Sequence, residues 1–133
     1  MDPLPAGKSE SEFRRVLVVD DNVDSAETIA EILKLWGHEV QTAHDGSEAL
    51  EAARAQRPDA VLLDLGLPIM DGFETARRLR AEGLSATLLV AVSGYGGAED
   101  RRRATEAGFD SHLTKPVSPE ALREVLKRGK PTA

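Results

Sequence analysis

One apolar run, residues 60–63, constrains the fold more than any other part of the chain. It continues directly into Asp64, and Gly66 and Pro68 break the element that follows. A strand without polar alternation is covered on both faces, which is typical of the interior of a parallel sheet. Asp64 would then lie at the carboxyl end of a strand, where open α/β sheets bind their ligands. Taken alone, this carboxylate could equally cap the next helix.

Strand and helix patterns alternate five times along the chain. Residues 16–19 and 87–92 are also continuous apolar runs, 39–43 is weaker and indicates an edge strand, and 111–114 is short. Helical periodicity fills 24–36, 47–55, 73–82, 98–107 and the segment from 119 onward. This alternation predicts βαβ units with right-handed crossovers and helices on both faces of one sheet. We expect one domain over residues 14–128, with tails at 1–13 and 129–133.

The net charge excludes several classes of partner. The chain has 17 Lys and Arg residues against 23 Asp and Glu residues, a net charge of -6. Nonspecific binding to nucleic acid or to an anionic membrane needs a basic surface. No cysteine is present for disulfides or thiolate metal sites, and no apolar run reaches the roughly 20 residues of a membrane-spanning helix. The sequence therefore predicts a cytoplasmic protein without nucleic-acid or membrane partners.

Polar residues far apart in the sequence follow the predicted strands. Asp20 and Asp21 end the first strand, Asp64 the third, Ser93 the fourth and Lys115 the fifth. The carboxyl ends of parallel strands share one sheet edge, so these side chains are expected to converge. Three adjacent carboxylates repel one another without a counter-charge, and Mg²⁺ prefers such oxygen ligands. A lysine and a hydroxyl beside the metal suit a phosphoryl group.

Each of these residues also has a plainer interpretation. Asp20 and Asp21 could cap the first helix, Ser93 could be an ordinary strand-end hydroxyl, and Lys115 could be a surface lysine. The complete set favours a metal and phosphoryl site over these separate roles.

Other chemistries fit the residues less well. His38 and His44 flank the weak second strand and form no convincing Ser-His-acid system, whereas a carboxylate such as Asp64 can itself form an aspartyl-phosphate. A phosphatase with an aspartyl nucleophile usually has a second aspartate two residues later, where this chain has Gly66. A flavodoxin-like nucleotide binder would need a glycine- and hydroxyl-rich loop after the first strand, but the acidic stretch 20–24 would repel a phosphate.

Four blocks of sequence resemble the signature of two-component response-regulator receiver domains. They read VVDDN at 18–22, LDLGLPIMDG at 63–72, AVSG at 91–94 and LTKP at 113–116, in the order and spacing of that family. The resemblance extends over about residues 14–128. It implies a flavodoxin-like fold, in which a doubly wound five-stranded parallel sheet has the strand order 2-1-3-4-5.

The resemblance implies a Mg²⁺ site built from strand-end residues. Asp21 and Asp64 would be direct ligands, the backbone carbonyl of Gly66 a third ligand, and Asp20 would act largely through a bound water.

The same resemblance implies the path of a phosphoryl group. Asp64 would accept it from a histidine kinase or a histidine phosphotransfer protein, and Lys115 would contact a phosphoryl oxygen. The Lys115–Pro116 peptide bond is expected to be cis. Ser93 would be the switch hydroxyl, which turns toward the phosphoryl group and pulls its glycine-rich loop with it.

One position departs from the family pattern. Receivers usually carry Tyr or Phe three residues before the lysine, where this chain has His112. Imidazole is smaller and more polar than these rings, and it titrates near neutral pH. We therefore expect the switch to depend more on the Ser93 loop, with Tyr95 supplying an aromatic surface.

The expected function is that of a single-domain response regulator that changes a protein-binding face, formed by residues 98–128, when phosphorylated. It would not be an enzyme beyond its own phosphorylation and dephosphorylation. The LDLGLP block and the SGYG loop are similar to receivers of hybrid histidine kinases, so a phosphorelay intermediate or a phosphate sink is the alternative. No output domain is recognised after Arg128, which favours a stand-alone receiver with an unknown downstream protein.

Overall fold

The computed structural model describes residues 14–94 and 97–128. The predicted tails at 1–13 and 129–133, and also Tyr95, lie outside the described residues. Five strands alternate with five helices, as the sequence pattern predicts. The strands are β1 (Arg15–Val19), β2 (Glu39–Ala43), β3 (Ala60–Asp64), β4 (Leu88–Ser93) and β5 (Ser111–Thr114). The helices are α1 (Val23–Leu35), α2 (Gly46–Gln56), α3 (Gly72–Ala81), α4 (Ala98–Ala107) and α5 (Pro119–Arg128).

All strands run parallel in one sheet of order β2-β1-β3-β4-β5. This confirms the doubly wound, flavodoxin-like α/β fold and places β2 at an edge. From β1 the chain adds β2 on one side and then β3 on the other, so the strand order reverses between β1 and β3. At this point Val19 of β1 is in register with Leu63 of β3. Residues that follow these two strands are therefore neighbours at the carboxyl edge, the position where such folds bind ligands.

The sheet is covered on both faces, which explains the unbroken apolar runs of β1, β3 and β4. One face packs against α2, α3 and α4, and the other packs against α1 and α5. Burying one leucine or valine side chain contributes roughly 1.5–3 kcal/mol to the stability of the fold. The two layers of buried side chains therefore fix the positions of the strand ends. The apolar stripes of the helices pack against the sheet, and most of their residues are buried, among them Ala26, Leu33, Phe73, Ala76, Leu79, Leu122, Val125 and Leu126. Ile29 and Trp36 of the α1 region are partly buried.

Short polar side chains begin four of the helices. Asn22, Asp45, Asp71 and Ser118 each accept a hydrogen bond from the backbone N–H three residues later. Such caps stabilise a helix by about 1 kcal/mol. The cap of α1 is therefore Asn22, and neither preceding aspartate has that role.

Among the described residues, no helix has the length and apolar character needed to cross a membrane.

Candidate functional site

Two of the predicted acidic residues are buried at the switch point of the sheet. Asp20 follows β1 and Asp64 ends β3, and their exposed fractions are only 3% and 8%. Asp20 is held from two directions, because its Oδ1 accepts a 2.9 Å hydrogen bond from the Asn22 backbone N–H. Its own backbone N–H donates to the Ala43 carbonyl at 3.0 Å. The cap residue of α1 thus also orients the carboxylate that precedes it.

Asp21 completes a cluster of three carboxylates. Asp20, Asp21 and Asp64 each offer a carboxylate oxygen, and these oxygens lie within 4.8 Å of one another. Asp21 is exposed and the other two are buried, so the cluster opens to solvent on one side. Three like charges at this spacing repel one another, and hard oxygen ligands match a small divalent cation. The donor set therefore fits Mg²⁺.

Lys115 connects the two buried carboxylates. Its Nζ lies 3.2 Å from Asp20 Oδ2 and 3.4 Å from Asp64 Oδ2. Burial lowers the pKa of Lys115, but the hydrogen bond to Asp20 and the negative charges of both aspartates outweigh that effect and raise it. The lysine is therefore charged at neutral pH. The predicted cis bond between Lys115 and Pro116 is confirmed.

Asp64 is the carboxylate with the most unusual environment. Burial raises its pKa above the ordinary value, and the neighbouring charge of Asp20 acts in the same direction. The 2.9 Å hydrogen bond from the Gly66 backbone N–H and the charge of Lys115 oppose this shift but do not cancel it. Asp64 has one oxygen held by a backbone donor and the other facing a cation, which fixes the orientation of the carboxylate.

Gly72 allows α3 to begin directly beside the end of β3. A Cβ atom at this position would lie 2.5 Å from the Asp64 carbonyl oxygen and 2.7 Å from Leu65 Cα, both of them backbone atoms. The Gly72 N–H donates to the Leu65 carbonyl at 3.1 Å. The glycine in the MDG segment is therefore required by the close packing that supports Asp64.

Ser93 ends β4, as expected, but its hydroxyl has a partner that the sequence did not indicate. Its Oγ lies 3.1 Å from Nε2 of His112 on β5. The structure thus links the predicted switch hydroxyl directly to the position at which this chain departs from the family pattern. The expectation for Tyr95 concerns a residue outside the described ranges.

A second histidine at the site was missed. His44 Nδ1 lies 3.0 Å from the backbone carbonyl of Asp20, so this nitrogen carries a proton and donates it. Val19 is paired with Ala43, which places residue 44 beside residue 20. The parallel register of β1 and β2 was the signal that could have identified His44. The predicted residues Asp20, Asp21, Asp64 and Lys115 are brought together, with Gly66 hydrogen-bonded to Asp64.

The chain is similar to a large and well-defined group of proteins. Residues 16–127 match the family described as the response regulator receiver domain. Response regulator MprA of Mycobacterium avium is 39% identical over 121 residues, which is 88% of this chain and 53% of that protein. Transcriptional regulatory protein PrrA of Mycobacterium bovis is 41% identical over 116 residues, which is 87% of this chain and 48% of that protein. The chain thus spans about half the length of the curated relatives that it matches.

Solved structures show the same fold. Chemotaxis protein CheY4 of Vibrio cholerae has a TM-score of 0.84 and 31% identity, covering 88% of this chain and 98% of that one. The receiver domain of a sensor histidine kinase from Pseudomonas aeruginosa, solved with a magnesium ion coordinated in its active-site cleft, has a TM-score of 0.79 and 32% identity. That comparison covers 87% of this chain and 96% of the other.

Proposed function

The chain belongs to the response regulator receiver domain family, and from that membership we propose that it is a Mg²⁺-dependent phosphoryl acceptor phosphorylated on Asp64. The observation that carries this proposal is the environment of one carboxylate. Asp64 is buried beside two further acidic side chains, with one oxygen 3.4 Å from the ammonium of Lys115. A carboxylate held in this way between a cation and an acidic cluster is suited to nucleophilic attack on a phosphoryl group.

Asp20, Asp21, Asp64 and the Gly66 backbone carbonyl are the groups that we propose would hold Mg²⁺. The support is the clustering of the three carboxylates and the magnesium ion in the similar receiver of a histidine kinase. When bound, the ion supplies positive charge for the phosphoryl oxygens and offsets repulsion among the carboxylates.

The transfer step assigns separate tasks to the residues of the chain. An oxygen of Asp64 forms a bond to phosphorus while the P–N bond of a phosphohistidine on a histidine kinase or phosphotransfer protein breaks. The electron pair of that bond leaves with the imidazole. Lys115 provides a fixed positive charge for a phosphoryl oxygen, and the Gly66 N–H keeps the Asp64 carboxylate oriented. Water later hydrolyses the bond between phosphorus and the Asp64 oxygen, which returns the carboxylate and releases inorganic phosphate.

Signal output is assigned to the part of the fold that follows Ser93. We propose that the Ser93 hydroxyl turns toward the phosphoryl group and that α4, β5 and α5 form the face that binds a downstream protein. Ser93 is the last residue of β4, and α4 is the next element along the chain, which supports this assignment.

We propose that residues 14–128 form the receiver unit and that it works in the cytoplasm, as response regulators generally do. The repeated strand and helix units fill this range, and the family match covers residues 16–127. The stand-alone role stays a prediction, as do the alternatives of a phosphorelay intermediate and a phosphate sink. Adding an unphosphorylated phosphotransfer protein to the phosphorylated receiver separates the relay intermediate from the other two roles, since only a relay intermediate is expected to pass the phosphoryl group to it.

Incubation with acetyl phosphate tests the proposed chemistry. Intact mass spectrometry is expected to show one added phosphoryl group on the wild type with Mg²⁺ and none after chelation. Asp64→Asn keeps the size and the hydrogen-bond acceptor of the side chain but removes the nucleophile, so it is the matched control. An unmodified wild type, or equal labelling of this variant, would refute the proposal.

A further inference from the structure

Ser93 and His112 meet on the same face of the sheet. Ser93 is in register with Thr114, and His112 is in register with Ala91. Because residues two apart on a strand share a face, Ser93 and His112 are diagonal neighbours across β4 and β5. Nε2 of the ring thereby lies 3.1 Å from Ser93 Oγ.

The other ring nitrogen identifies the tautomer. Nδ1 of His112 is buried and has no hydrogen-bond partner within the described part of the chain. A neutral imidazole carries a single N–H. With the proton on Nε2, that N–H donates to Ser93, and only the lone pair of Nδ1 is left without a partner. With the proton on Nδ1, a buried donor would be left without an acceptor, which is costly. The geometry therefore favours Nε2–H as donor and Ser93 Oγ as acceptor.

The surroundings of the ring keep it neutral. Burial lowers the pKa of His112, and the positive charge of Arg101 on α4 lowers it further, whereas Asp100 opposes this with a smaller effect. A neutral ring carries the one donor that the contact with Ser93 requires.

This inference rests on the proposed function, in which the Ser93 hydroxyl turns toward a phosphoryl group. We propose that His112 is a positioning residue, which holds Ser93 in its unphosphorylated arrangement by this hydrogen bond and so sets how readily the receiver switches. A hydroxyl that turns toward Asp64 must leave Nε2, so the imidazole and the phosphoryl group compete for one side chain. The charges of Arg101 and Asp100 act on the pKa of His112, and both residues belong to α4, which is part of the proposed output face.

Substitution of His112 by Phe tests the competition, because Phe keeps an aromatic ring and removes the N–H. The probe is beryllofluoride, a phosphoryl analogue, and the readout is its apparent dissociation constant at saturating Mg²⁺, followed by NMR of the β4 and β5 amides. His112→Phe is expected to bind it about 2- to 12-fold more tightly, the effect of removing one hydrogen bond from the unbound state.

A double-mutant cycle separates the hydrogen bond from changes in packing. In a Ser93→Ala background, His112→Phe is expected to leave the affinity unchanged, because the hydroxyl that His112 holds is already absent. The ¹⁵N shifts of the wild-type ring should show the Nε2–H tautomer in the free protein and a weakened Nε2 hydrogen bond after beryllofluoride binds.

Two kinds of failure are distinguishable. Equal or weaker binding by His112→Phe, or a gain that persists in the Ser93→Ala background, overturns the role of His112 while wild-type binding still supports the receiver chemistry. A wild type that binds beryllofluoride no better than Asp64→Asn overturns the proposed function and this inference with it.

Discussion

The ionised carboxylate of Asp64 is subject to opposing effects from its surroundings. Its burial and the nearby charge of Asp20 disfavour the ionised form, whereas Gly66 and Lys115 favour it. The negative charge that makes Asp64 a nucleophile therefore lowers the stability of the folded protein, which is a common property of functional sites.

Asp64→Asn should show this loss of stability directly, because it removes the charge and keeps the size of the side chain. Without divalent cations, we expect the variant to have a free energy of unfolding about 0.5–2 kcal/mol higher at neutral pH, as single stabilising substitutions commonly do. The folded-state pKa of Asp64 is raised, so ionisation destabilises the folded wild type above that pKa and protonation relieves the effect below it. Urea denaturation from neutral to acidic pH measures the difference, which should shrink as the pH falls. A difference that stays constant with pH would contradict this explanation.

Gly72 is the second residue on which the site depends sterically. In Gly72→Ala, the new methyl group would meet the Asp64 carbonyl oxygen and Leu65 Cα, backbone atoms that cannot rotate away. We expect a loss of about 1–3 kcal/mol in the free energy of unfolding and slower labelling by acetyl phosphate, because the end of β3 must shift.

Gly94→Ala is the stability control for that substitution, since a Cβ atom there would have no contact within 4 Å among the described residues outside its chain neighbours. Its free energy of unfolding should stay within about 0.5 kcal/mol of the wild type. Equal losses in the two variants would show that the close approach at Gly72 is not the cause.

At the scale of single elements, α2 contains an unsatisfied polar side chain. Gln56, the last residue of α2, is buried, and within the described residues its Oε1 and Nε2 have no hydrogen-bond partner. Nothing in the proposed chemistry uses this residue. Its amide therefore lowers the stability of the α2 packing without an evident compensating contact.

Replacing Gln56 with Leu should stabilise the protein. Leu fills a similar volume and removes two unpaired polar atoms, whose burial costs about 1–3 kcal/mol. We expect a gain of about 1 kcal/mol in the free energy of unfolding by urea denaturation. Gln41→Leu on β2 is the matched control, because Gln41 is exposed and its replacement should have little effect. A loss of stability in Gln56→Leu would mean that the buried amide has a partner in solution.

At the scale of the whole molecule, the acidic cluster should couple Mg²⁺ binding to folding. The three carboxylates come together only when β1 and β3 are paired, so the unfolded chain has no equivalent site. A metal concentration 100-fold above its dissociation constant should raise the free energy of unfolding by about 2.7 kcal/mol. Thermal or urea denaturation with Mg²⁺, against NaCl at matched ionic strength, measures this. Equal stabilisation of the Asp21→Asn variant would argue against binding at this cluster.

Much of the fold could be predicted because buried parallel strands appear as continuous apolar runs. The runs at 16–19, 60–63 and 87–92 are the three inner strands, and each is followed by a residue of the predicted site. The strand order itself came from the family resemblance, since alternation alone is compatible with several orders. Helix ends shifted by a residue or so, as with α2, which begins at Gly46.

The parts that could not be predicted depend on contacts between elements. Asp20, Asp21 and Asn22 are all capable caps, and only the structure shows that Asn22 accepts the capping bond. The hydrogen bond between Ser93 and His112 needs the register of β4 and β5, which no local pattern reveals. The unpaired amide of Gln56 likewise follows from packing and not from periodicity.

Identification of the modified residue tests the central claim most directly. The protein is labelled with acetyl phosphate and Mg²⁺, and borohydride then reduces the acyl phosphate to an alcohol, which marks the acceptor by converting an aspartate to homoserine. Peptide mass spectrometry is expected to find homoserine at position 64 and at no other aspartate, and to find none when Mg²⁺ is chelated. Homoserine at Asp20 or Asp21, or its absence from position 64 in labelled protein, would contradict the account.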